Sequence, residues 1–491
     1  MKRKTIGTAV IATLLGVAVL VAITVVTRTF MVAAPVVAGP PPPPPVDSNL
    51  VAQHLSQAIK FQTVSYGDGV KEKERDAAVE ELYLWAERTY RYFHEQAPQE
   101  AFGSSHLFVW RGTDSNLPPI LLMAHLDVVP VVPGTEKDWM HAPFSGDIAD
   151  GFVWGRGAID NKSAAIALLE AGERLAAANF SPKRTIMFAF GHDEEVGGNR
   201  GNAAIAKALQ ARGVHFAWVV DEGSSILNEP YPGVRKPIAF VSVAEKGYLS
   251  LELTAHGQGG HAARPSENLA LDRLSSAIHN VVDHPFVSDL DDIQRAKLSV
   301  LAPYVPFGER LKLANLWLMK PLVVRDLEGE PESAAILHTT ISPTIMQAGV
   351  KDNVIPPTAR AIINFRLHQR DTISSVTQHV KDAISDPQVD VKALMESNAE
   401  ASKIVDLKGP AYTFVAQAIK DSLAVPVAPD LMTGATDSTH YLSIADAILR
   451  FRPFTAEPGD LPRVHGTNER VAVEDLGPAV GFYMRLIQAS Q

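Results

Sequence analysis

A chain of 491 residues is too long for one ordinary core, so two domains are the default expectation. Hydrophobic residues at 46% with 20% charged describe a globular protein, and 45 basic against 55 acidic residues leave a net charge of −10, which argues against nucleic acid as a partner. There is no cysteine, so disulfides and thiolate metal sites are excluded.

In chain order, Lys2, Arg3 and Lys4 precede an uncharged stretch over residues 5–27. As a helix that stretch would span ~35 Å at ~1.5 Å per residue, enough for a hydrocarbon core of ~30 Å. Basic residues on its amino side predict a membrane anchor with the body exported. The alternative is a signal peptide cut after a small residue such as Ala34 or Ala38, which would release a secreted or periplasmic protein. Residues 40–45 form an uninterrupted proline run, a stiff polyproline spacer that closes an amino-terminal segment over 1–46.

From Asp47 the chain reads as folded, and residues 47–246 form the first part of an α/β domain. Residues 51–61 and 77–93 carry helical spacing. The apolar run 120–124 leads into His125-Leu126-Asp127, the run 185–190 into Gly191-His192-Asp193-Glu194-Glu195, and the run 216–220 into Asp221-Glu222-Gly223. Short apolar runs alternating with helical patterns read as buried parallel strands, and ligands bind at the carboxyl ends of such strands. Three strands thus deliver His, Glu and Asp side chains to one rim, which points to a metal site.

His125 and Asp127 lie two apart and point the same way in extended geometry, so His125 is the natural ligand and Asp127 its orienter. The alternative is an ordinary surface turn. Asp160 sits in Gly155-Arg156-Gly157-Ala158-Ile159-Asp160-Asn161-Lys162, at the start of a helix over 162–178. It is either a helix cap or a carboxylate whose two oxygens serve two cations. Glu194 and Glu195 are adjacent, so one can bind metal while the other stays free as a base. Asp221 supplies a further hard oxygen ligand or caps a helix. His192 and His440 read as structural.

From Tyr248 the pattern changes. Residues 249–255 and 359–367 alternate with period two, as half-exposed antiparallel strands should, with a helix-like segment 269–282 between them. An α+β domain inserted over 247–368 follows, with the second part of the α/β domain over 369–491, which ends in a helix at 475–488. Within the insertion, residues 285–335 fit no clear pattern. Their apolar residues (Phe286, Leu301, Leu311, Leu316, Trp317 and Leu318) either line an acyl pocket or are ordinary core.

The segments HLDVVP, GRGAIDNK, DEEVGG, VVDEG and VHGTNE stand in the order found in the co-catalytic di-zinc exopeptidase and aminoacylase family. Over roughly residues 50–490 the chain resembles that family, and within it the carboxypeptidase S and N-fatty-acyl-amino-acid synthase/hydrolase subgroup. The resemblance implies an α/β, zinc-exopeptidase-like catalytic domain with a mostly parallel sheet, plus an inserted α+β lid and dimerisation domain. It implies two Zn2+ ions, with Co2+ or Mn2+ as substitutes. Asp160 would bridge both, His125 and Asp221 would complete one site, and Glu195 with His465 the other. Glu194 would be the general base, and Asp127, as the orienter of His125, would belong to the catalytic set.

The same resemblance makes His261, in Gly259-Gly260-His261-Ala262-Ala263-Arg264-Pro265, a transition-state residue that reaches across a homodimer. It assigns Asn353 and Arg366 to the substrate carboxylate and Thr436 to a further substrate loop. The implied reaction is hydrolysis of an amide bond beside a free carboxylate, by a carboxypeptidase or N-acyl-amino-acid hydrolase held at a membrane. The rivals are a dipeptidase, a short-chain N-acyl deacylase, or a non-catalytic binding relative.

Overall fold

The strands Ile120–His125 and Ile186–Gly191 are buried at every position, as expected of apolar runs covered on both faces of a sheet. A computed structural model describes residues 2–34, 45–67, 69–394, 398–457 and 459–490; Ala38 and the proline run up to Pro44 lie outside the described residues. Eight strands form the large sheet, in the order Gln99–Phe102, Ser105–Trp110, Ile186–Gly191, Ile120–His125, Trp218–Leu227, Ile448–Ala456, Ile238–Glu245 and Val427–Met432. Its centre is parallel: Ile120–His125 pairs in parallel with Ile186–Gly191 on one side and Trp218–Leu227 on the other. Register sets His125 opposite Gly191, so the strand ends that carry the acidic motifs stand side by side.

Helices cover both faces. Ser48–Lys60, Lys162–Ala177 and Val473–Ala489 pack together on one face, around Leu55, Leu168, Val480 and Phe482. Asp47 caps the first of these, its carboxylate accepting from the Asn49 amide at 3.0 Å. On the other face Asn202–Ala211 buries Ile205 and Leu209 against Leu107 and Met123.

A second core belongs to a four-stranded antiparallel sheet, ordered Thr340–Ala348, Thr358–Leu367, Gly247–His256 and Val389–Ala393. The alternation read from the sequence is present: every second residue from Ala359 to Leu367 is buried. The helices Ala270–Asp283 and Ile373–Ile384 cover this sheet. The expected boundary at 368 is corrected, because Val376, Val380, Ile384 and Val389 sit in the same core as Leu251 and Phe365.

The stretch 285–335 forms the helices Asp292–Leu301, Phe307–Ala314, Leu316–Glu328 and Pro331–Ala335. They pack on the edge of the large sheet, where Leu298, Leu301 and Val323 share a core with Phe240 and Ala428. Leu301 is core, Phe286 packs on the second core, and Trp317 and Leu318 are exposed, so neither of the two expectations holds for the whole stretch. At the amino-terminal end, the helix Lys2–Met31 contains an apolar span, Ala12–Met31, with mean hydropathy 2.1, long enough to cross a membrane.

His106 lies under the Tyr83 ring, the two planes 9° apart with centroids 3.7 Å apart, and Nδ1 faces Gln99 Oε1 at 2.9 Å. Burial, reinforced by His94 and His192, depresses its pKa to about 4. The unfolded chain holds that proton up to pH ~6.5, so this group's stabilisation is complete above pH ~6.5 and falls away towards pH 4. The full loss is on the order of 3 kcal/mol. His106→Phe keeps the stack, so denaturant unfolding at pH 7 and pH 4.5 should show a smaller acid loss than in the parent chain.

Candidate metal centre

Two imidazoles and a shared carboxylate define the rim. His125 ends its strand with Nδ1 donating to the Asp127 carbonyl at 2.9 Å, which leaves Nε2 facing Asp160 Oδ1 at 3.1 Å and Glu222 Oε1 at 3.0 Å. The second oxygen of Asp160 lies 3.2 Å from His465 Nε2, and that same nitrogen is 3.2 Å from Glu195 Oε2. Asp160 therefore spans the two histidines, and the helix Lys162–Ala177 starts from Asn161 instead. The peptide bond Asp160–Asn161 is cis.

Ligand atoms fall within 4.8 Å of one another in three sets: His125, Asp160 and Glu222; Asp160, Glu195 and His465; and His125, Glu194 and Glu195. The first two share Asp160. One expected ligand is corrected: Glu222, and not Asp221, faces His125. Neighbouring residues on a strand point to opposite faces. Asp221 is turned away, its oxygens accepting from the amides of Glu222 and Ser438, each at 2.9 Å.

Asp127 is buried behind the rim. Its carboxylate takes the Ser65 hydroxyl at 2.6 Å and the amides of Glu194 and Glu195 at 3.1 and 3.2 Å. It thereby orients the short turn Glu194–Val196 that presents both glutamates. The turn closes at Gly198, φ +62°, where a Cβ would stand 1.9 Å from Asp437 Oδ1.

The gap of 305 residues between Asp160 and His465 is bridged by Glu469, the last residue of the VHGTNE segment, to which sequence reasoning gives no role. Its buried carboxylate accepts from the amides of Gly157, Ile159 and Asp160 at 2.8–2.9 Å, and from Arg156 Nη1 at 2.8 Å. Arg156 Nη2 in turn donates to the carbonyls of His465 and Gly466. The loop 155–160 and the loop 465–469 are locked together at the point where their ligands must meet. Glu469→Ala strands a buried guanidinium and three amides, and should cost roughly 3–5 kcal/mol of stability. Metal affinity should fall with it, by isothermal titration, because His465 loses its anchor.

The crowding of charge at the rim shifts its groups strongly. Burial and then the Asp160 charge push the Glu222 carboxyl up to about 8. Burial likewise holds Glu194 well above the usual carboxylate range, with Glu222, Asp437 and Glu195 adding to it. Hydrogen bonds to Asp160 and Glu195 lift His465 to about 10. Burial alone would depress His125, but Glu222, Asp127 and Asp160 outweigh it and leave it well above its ordinary value. Glu195 Oε1 is buried with no partner. Two imidazoles with four carboxylates, one orphaned oxygen and a shared aspartate are a donor set suited to two divalent cations.

The rim opens into a cavity of about 1780 Å³. Arg366 lines it, with Nη1 buried and unpartnered and the guanidinium 4.7 Å from the Tyr248 ring. Thr436 lines it too, but its hydroxyl is engaged by Ser438 at 2.6 Å and Arg450 at 3.3 Å. Leu227, Phe240, Leu298, Leu301 and Leu327 give the cavity an apolar wall. His261 and Asn353 are not among the residues that line it. His261 pairs with Val354 where the segments Gly260–His261 and Val354–Ile355 run antiparallel, the neighbouring Ala262 amide donates to the Asn353 carbonyl at 3.2 Å, and His261 is exposed.

The model of peptidase family M20/M25/M40 matches residues 121–489. The chain is 35% identical over 448 residues to the N-fatty-acyl-amino acid synthase/hydrolase PM20D1 of Xenopus tropicalis, covering 90% of this chain and 86% of that protein. It is 34% identical over 445 residues to probable carboxypeptidase S-like 2 of Dictyostelium discoideum, covering 90% and 85%. Among solved structures, the M20 family metallo-carboxypeptidase Sso-CP2 of Sulfolobus solfataricus matches with a TM-score of 0.63 at 16% identity, over 89% of this chain and 98% of that one.

Proposed function

The chain belongs to peptidase family M20/M25/M40 and is a metal-dependent hydrolase, and from that premise we propose that it cleaves long-chain N-acyl amino acids, with two zinc ions, on the exported side of a membrane. One observation carries the substrate reading: a single cavity holds the metal-ligand rim, the Arg366 guanidinium with its buried, unbonded Nη1, and an apolar wall. Arg366 takes the free carboxylate of the amino acid through its planar fork, and the acyl chain lies along Leu298, Leu301 and Leu327. The apolar helix Ala12–Met31 remains as the anchor.

His125, Asp160 and Glu222 would hold one ion, and Asp160, Glu195 and His465 the other; cobalt or manganese would substitute for zinc in such a donor set. When bound, the two ions supply positive charge that polarises the scissile carbonyl and makes water acidic enough to attack at neutral pH. Glu194, free of the Asp160 sets, accepts the proton of the attacking water and delivers it to the departing nitrogen. Asp127 keeps the Glu194 amide and the His125 tautomer in place. Thr436 shapes the cavity wall.

A second copy of the chain supplies His261 and Asn353, which lie apart from the cavity in a single chain. Mixing Glu194→Gln and His261→Ala chains, each inactive alone, should restore part of the activity; no recovery would remove the dimer from the reading.

A substrate panel tests the whole. Each methylene of the acyl chain adds ~0.8 kcal/mol of burial, so kcat/KM should rise roughly three- to fourfold per carbon until the wall is filled. Higher kcat/KM for dipeptides or for N-acetyl amino acids than for long-chain substrates would replace it with a dipeptidase or short-chain deacylase.

A further inference from the structure

The helix Leu316–Glu328 is apolar on both sides. Val323 is buried, and Leu316, Val324 and Leu327 pack into the core shared with the large sheet. On the opposite side Trp317, Leu318 and Leu322 are 52%, 43% and 41% exposed, and Phe307 on the preceding helix is 49% exposed. At 100° per residue, Trp317, Leu318, Pro321, Leu322 and Arg325 fall on one stripe. A surface helix normally turns one apolar face inward and a polar face outward. This one presents a second apolar face to something else.

The position of the amino-terminal helix says what that is. Its last turns end on this layer: Asn315 Nδ2 donates to the Val25 carbonyl and to Thr29 Oγ1, each at 3.2 Å, and Arg28 Nε donates to the Ala314 carbonyl at 3.3 Å. The Phe30 and Phe307 rings are 5.6 Å apart, and Thr29 is buried in the junction. Farther along the same helix Leu14, Leu15, Leu20 and Ile23 are all more than half exposed. The apolar span therefore leaves the body at the exposed face, through a hydrogen-bonded junction.

We propose that the face formed by Phe307, Trp317, Leu318 and Leu322 lies against the lipid bilayer entered by the amino-terminal helix. The inference rests on the anchor reading given above. Trp317 suits that place: its Nε1 donates to Asn315 Oδ1 at 3.3 Å, so the polar edge is tied back at the junction and the ring is free for the headgroup layer. Arg325, 74% exposed on the same stripe, meets lipid phosphate. Because Leu327 of this helix also lines the cavity, the lipid surface and the cavity wall stand one helix apart.

The test uses the full chain reconstituted in phosphatidylcholine–phosphatidylglycerol vesicles that carry a shallow spin-labelled lipid. The other five tryptophans are buried or half-buried, so the quenchable fluorescence should come from Trp317 and be lost in Trp317→Phe. Retention on vesicles after an alkaline carbonate wash reports the anchor separately. Retention together with quenching that disappears in Trp317→Phe is the expected result. Retention with equal quenching in both proteins, including the case of a second copy covering this face, would overturn the inference alone. Loss of both retention and quenching would overturn the anchor reading and this inference with it.

Discussion

Glu194→Gln is expected to keep both metal ions bound and to lose roughly 10²–10⁴-fold in kcat, the span that a positioned general base supplies. Glutamine matches glutamate in shape, and the Glu194 amide keeps its bond to Asp127. Neither set of ligand atoms that contains Asp160 includes Glu194, so both cation positions retain their donors. What disappears is a carboxylate able to take a proton. KM should change little, because the interaction removed is made in the transition state and not in the ground state. Steady-state kinetics beside metal analysis of the same sample read both quantities, and a variant with near-normal kcat would remove Glu194 as the base.

Asp160→Asn should be more severe. Its two oxygens face His125 and His465, so one substitution withdraws charge from both donor sets. Metal ligation requires the deprotonated carboxylate, and an amide is a poor replacement at a shared position. Both ions should be lost and turnover should fall to background. Asp221→Asn is the control: its oxygens serve the amides of Glu222 and Ser438. That variant should retain both ions and most of its activity, while Glu222→Gln should lose one ion. A chain with Asp221→Asn that lost metal as Glu222→Gln does would show that the strand turns the other way.

Much of the site was legible because the chemistry sits at the ends of apolar runs. The pairs His125 with Asp127 and Glu194 with Glu195 follow strands whose burial at every position was evident from composition. The same continuous burial explains the error at 221. A strand buried on both faces gives no polar alternation from which to tell which of two adjacent acids faces the rim. The strand Trp218–Leu227 is buried at its first five positions, Asp221 and Glu222 included.

Long-range partners were harder. His465 is placed by motif order alone, and Glu469, although it closes the same VHGTNE segment, shows no role there, since an acid followed by arginine in a loop reads as solvated. Only its bonds to Arg156, Gly157, Ile159 and Asp160 reveal its part. In the inserted domain, period-two alternation identified two strands correctly. The end at 368 was misjudged because Val376, Val380 and Ile384 form an ordinary amphipathic helix that either core would accept. The stretch 285–335 resisted reading for a related reason: its helices are apolar on more than one side, so no single periodicity marks an inward face.

Metal content of the purified, active chain is the most direct measurement. Elemental analysis by mass spectrometry, normalised to protein, should give two divalent ions per chain, with activity lost on chelation and regained on adding zinc. Full activity in a chain holding one ion or none would contradict a centre in which Asp160 joins His125 and Glu222 to Glu195 and His465.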